Sequence, residues 1–108
     1  MSLKLPTTWE GLSKLSRLME LEEKVNRLKS EIEEIGKAVR DTPIAKEIGF
    51  FIVRVQKLQN WCSTARFSLF EGYNVPESSI AELERDFKVL QEDWIKFIKN
   101  NNLGIFWL

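Results

Sequence analysis

The stretch from Thr42 to Phe70 limits what this chain can become more than any other. It reads TPIAKEIGFFIVRVQKLQNWCSTARFSLF. Thr42 is suited to cap a helix. Pro43 suits the first helical position, where its missing N–H would have no partner anyway. Apolar or small residues then recur at Ile44, Ile48, Phe51, Val55, Leu58, Cys62, Ala65 and Leu69. The alternation of four and three makes one unbroken helical stripe. Phe50 and Trp61 flank it on one side, Ile52 and Phe70 on the other, and Val53 and Phe67 lie behind it. A helix this apolar around its circumference is usually enclosed by protein. The segment is therefore expected to be a hub that the rest of the chain covers.

Two further helices are legible. Thr7-Thr8-Trp9-Glu10 matches a capping box, in which a hydroxyl and a carboxylate three residues apart satisfy each other's free N–H groups. A first helix is expected over about 8–40, with Leu18, Val25, Ile32 and Val39 in one heptad position and Leu21, Leu28 and Ile35 in the other. That seam fits a two-stranded coiled coil and equally a helix inside a bundle. Leu12, Leu15 and Met19 fall on a face read as rotated by more than about 90° from it. Gly36 weakens the far end, and Arg40-Asp41-Thr42-Pro43 breaks the helix, because a residue before proline avoids helical angles. After the hub, Gly72 is placed for a C-cap. A third helix is expected over about 77–100, striped by Ile80, Leu83, Phe87, Leu90, Trp94, Phe97 and Ile98 and ended by Asn100-Asn101-Asn102.

Short loops make successive helices antiparallel neighbours. The expectation is a single all-α domain spanning 1–108, an elongated antiparallel three-helix bundle with coiled-coil-like heptad packing. Its helices would be about 48, 42 and 36 Å long. In length and plan this resembles a spectrin-type repeat, and Trp94 inside the third helix adds to the likeness. The resemblance is one of architecture and brings no functional residue with it.

Charge and composition narrow the function. The formal net charge is zero, whereas a protein that neutralises many phosphates needs a basic surplus. Within that zero, Lys46, Arg54, Lys57 and Arg66 face Glu47 alone over 42–70, and seven acids face Arg85 and Lys88 over 71–95. Pairing between the second and third helices is the expected outcome, with Arg54 and Arg66 laying their stems on the core and reaching Glu84, Glu92 or Asp93. The absence of histidine removes the Ser-His-Asp and Cys-His nucleophile systems and the ordinary zinc sites. Cys62, the only cysteine, lies on the apolar stripe and reads as a small buried hydrophobe. The five glycines are scattered, so no phosphate-binding loop is present. Glu31, Glu33 and Glu34 read as solvated helix face. No catalytic, cofactor-binding or metal-ligating residue is expected. A reducing, cytoplasmic setting is the default, and the dominance of Lys and Glu leans toward a thermophile.

What remains is apolar surface beyond the needs of three helices: Leu12, Leu15 and Met19, then Val53 and Phe67, then Phe106 and Trp107 in the apolar tail 103–108. The tail is expected to fold back beside Trp9 or Tyr73, or onto a sister subunit. An aromatic peptide for a partner is the alternative, and without a basic cluster it makes a weak membrane anchor. The function expected is a non-catalytic protein–protein interaction or oligomerisation module, a homo-oligomer of two or more copies. The first alternative is an adaptor that holds a partner helix in an apolar groove. The second is a nucleic-acid-binding helical protein, which needs Lys46, Arg54, Lys57 and Arg66 on one exposed face.

Overall fold

The structure, a computed structural model, describes residues 8–103. They form α1 (Trp9–Ala38), α2 (Ile44–Phe70) and α3 (Glu77–Asn100), with no strand among the described residues. The three pack as an up-down-up bundle with extents of 49 × 26 × 22 Å. Side-chain pairs fix the directions. Glu22 and Asn26 of α1 meet Arg66 and Gln59 of α2, so rising numbers on one match falling numbers on the other. Arg17 meets Glu77 and Glu84, and Glu31 meets Trp94, so α1 and α3 run the same way.

The stripes read from the sequence are the core. Leu18, Val25 and Ile32 of α1, Ile48, Val55 and Cys62 of α2, and Ile80, Leu90 and Trp94 of α3 are essentially without solvent exposure. Each such aliphatic side chain contributes about 1.5–3 kcal/mol over leaving it in water. Near the Asn100 end of α3, Phe51 packs edge-on against Trp94 at 5.1 Å, and Phe97 stacks beside Trp94 at 5.7 Å. Offset and edge-on aromatic pairs of this kind add stability beyond their buried area.

The helix ends differ from expectation in two places. The hydroxyl that caps α1 is Thr8, accepting from the Gly11 N–H at 3.0 Å. Position three of the helix is then Gly11, and Glu10 pairs with Lys14 instead of reaching back. At the start of α2, Thr42 does not cap. Its hydroxyl donates to the Val39 carbonyl at 2.6 Å and so closes the turn that leaves α1. The other two stops are as read. Gly72 sits at φ 86°, with the Tyr73 N–H on Ser68 O and the Gly72 N–H on Leu69 O. That is the Schellman arrangement, which needs a residue free to adopt left-handed angles. Asn102, at φ 54°, plays the same part after α3.

The hub expectation needs correcting. Within the bundle α2 presents one sector to α1 and α3, and its outer side is open. Phe50, Val53, Trp61 and Phe67 are all exposed. Two neighbours can cover only part of a helix's circumference, and among the described residues no fourth element comes round behind. Charge pairing is also redistributed. Arg54 reaches Asp93 at 3.0 Å as expected, but Arg66 turns to Glu22 of α1 at 2.7 Å. Glu84 is taken by Arg17 of α1 at 2.5 Å, and that hydrogen bond raises the Arg17 guanidinium pKa.

Candidate functional site

The outer side of α2 has an order of its own. Phe50, Val53, Lys57, Asn60, Thr64 and Phe67 follow one another at spacings of three and four, and all six are exposed. This is a second heptad seam, roughly opposite the core stripe at 100° per residue. Its apolar members are far from buried: Phe50 is 62% exposed, Val53 50% and Phe67 54%, with Trp61 beside the seam at 65%. Charge avoids it. No acid occurs between Glu47 and Glu71, and two of the three bases in that interval are engaged elsewhere. The Arg54 guanidinium lies 5.6 Å from the Phe51 ring centroid and bonds Asp93, while Arg66 bonds Glu22.

The other residues singled out in the sequence divide. Leu12 and Met19 are exposed and flank a shallow hollow on α1. Leu15 is not available with them. It is buried in the same core cluster as Leu69, Val75 and Ile80. By helical angle it stands only about 60° from Leu18, within the wide face that α1 buries at this end. Phe106 and Trp107 lie outside the described residues. Leu103, where the tail begins, is buried at the end of the bundle where α1 turns toward α2. The rest of the tail, and with it the expected folding back beside Trp9 or Tyr73 or onto a sister subunit, lies outside the described residues.

Phe50 and Trp61 were legible only as flanks of the core. The signal that places Phe50 on the outer seam is its three-residue step to Val53 and the heptads onward to Phe67. Between α2 and α3 an open groove of about 750 Å³ runs from Trp61 to Tyr73 and Val89, with Arg54 and Lys57 on one rim and Glu82 and Asp86 on the other. It is the larger concavity, but its walls are mixed in charge and it holds no convergent set of titratable groups.

Chemistry is sparse at these places. Cys62 is fully enclosed, and burial, aided by the Glu22 carboxylate, pushes its thiol up to about 11. A thiol held protonated is a poor nucleophile. Among the described residues no three His, Cys, Asp or Glu side chains converge on a point that could hold a metal ion. No helix among them is long and apolar enough to cross a membrane. Comparison with family models, with curated proteins and with solved structures finds no match to this chain.

Proposed function

We propose that this protein is a non-catalytic helical interaction module that associates with further copies of itself through the outer face of α2. The observation that carries the reading is the seam of Phe50, Val53 and Phe67. Three large apolar side chains, each half or more exposed, stand on one line. Scattered exposed apolar residues need no explanation, whereas aligned ones at coiled-coil spacing mark a surface that a partner covers.

Light scattering behind a sizing column, at two concentrations a hundredfold apart, tests it. The expected mass at the higher concentration is at least twice the 12.7 kDa of one chain. Phe67→Asp and Val53→Asp are expected to bring it down to a single chain with the helical signal unchanged, since both positions face water in the single chain. A wild-type mass of one chain throughout would remove the proposal.

The groove between α2 and α3 favours a second reading, an adaptor that seats another protein's amphipathic helix against Trp61, Tyr73 and Val89. A protein of this kind stays monomeric and binds a hydrophobic dye strongly, and Trp61→Ala would abolish the dye signal.

A further inference from the structure

Resting on the proposed self-association, we infer that two copies pair through α2 antiparallel, in one register centred between Leu58 and Gln59. The seam is self-complementary only in that arrangement. Extended by one step at each end it runs Lys46, Phe50, Val53, Lys57, Asn60, Thr64, Phe67, Glu71, and all eight are exposed. Reversed and laid on itself about that centre, each residue finds a fitting partner. Lys46 meets Glu71 of the second copy, Phe50 meets Phe67, Val53 meets Thr64, and Lys57 meets Asn60, whose side-chain carbonyl accepts from the ammonium. The twofold repeats all four contacts.

Other arrangements fail on the same residues. A parallel pair sets Lys46 on Lys46, Lys57 on Lys57 and Glu71 on Glu71. Sliding the antiparallel pair by a heptad one way puts Val53 against Lys57, and the other way puts Phe67 against Lys57. Polar residues at seam positions commonly fix register in this manner, at some expense in stability. From Lys46 to Glu71 the contact is about 37 Å long. With Trp61 on its shoulder it reaches the lower end of stable interfaces, about 1,200 Å² in total. Such a twofold uses the same patch on both copies and closes on itself.

Cysteine pairing reads the register directly. Val53→Cys and Thr64→Cys are prepared separately in the full chain, mixed while reduced, and then oxidised. Cys62 does not compete, being fully enclosed with a thiol held protonated. The expected product is a disulfide between the two different variants, formed in the mixture and absent from either alone. Residue 53 of one copy would lie about 16 Å along the helix from residue 53 of the other, beyond disulfide reach. A second test uses charge. Lys46→Glu should raise the dimer dissociation constant about tenfold by replacing two attractions with two repulsions. Lys46→Glu with Glu71→Lys should return it to within about twofold of wild type. Disulfides within each single variant would overturn the register in favour of a parallel pair. A two-chain mass with no disulfide in any mixture would overturn the register while leaving self-association standing. A single-chain wild-type mass at every concentration would overturn both.

Discussion

Glu31 looks, in the sequence, like one more acid on a solvated helix face. In the fold its carboxylate accepts the indole N–H of Trp94 at 2.9 Å, and Trp94 is 1% exposed. No spacing rule announces this contact, because donor and acceptor are 63 residues apart and only the fold makes the acid partly buried. Glu31→Ala would strand a buried donor and is expected to cost about 1–3 kcal/mol in denaturant unfolding. Glu31→Gln, which keeps an acceptor, should cost clearly less. Cys62, by contrast, was legible in full, because a cysteine on an apolar stripe can only point inward. Its titration gives a signed prediction. In the unfolded chain the thiol ionises near its ordinary value of 9.0, and in the folded chain only at about 11. Its contribution is therefore whole below about pH 9 and is lost as pH rises toward 11. The loss should be on the order of 2 kcal/mol, and the fall between those values should be shallower in Cys62→Ala, compared by urea midpoints at pH 8 and 10.5.

At the scale of elements, the stripes specified three helices and their boundaries to within a residue or two, because period and stop signals agreed. The errors arose where neighbouring residues offer the same chemistry. Thr7 and Thr8 are both hydroxyls, and only the packing of α1 decides which one caps. Thr42 could serve the helix before it or the one after it, and it serves the one before. Glycine shows how an element's cost depends on its neighbour. A Cβ on Gly36 would stand 3.3 Å from Ile48 Cγ2, whereas one on Gly49 meets nothing within 4 Å. Gly49→Ala should therefore stabilise by about 0.5–1 kcal/mol through helix propensity. At Gly36 the same gain is opposed by a fully buried Ile48 with no room to retreat, and Gly36→Ala should leave the thermal midpoint unchanged or lower it. Parallel melts of the two variants check both expectations.

For the molecule as a whole, the bundle was legible and its outer surface only partly so. Val53 and Phe67 were identified as surplus because they lie behind the core stripe. Phe50 and Trp61 were not, since on a helix alone a residue flanking the core cannot be told from one on the back. Leu15 was misplaced for the opposite reason: α1 buries a wider face at its first turns than one heptad seam describes. Self-association through that surface has a thermodynamic signature. The thermal midpoint should rise with chain concentration, as for any folded state stabilised by its own copies, and it should become concentration-independent in Phe67→Asp. The placement of the tryptophans supplies an optical consequence. Trp94 is sealed among Phe51 and Phe97, while Trp61 stands in water on the shoulder of α2. One indole therefore emits at short wavelength whenever the bundle is intact, and the other shifts to shorter wavelength only if something comes to rest against α2. With Trp9 and Trp107 both replaced by Phe, the emission of a dilution series would separate folding from company, each with its own colour.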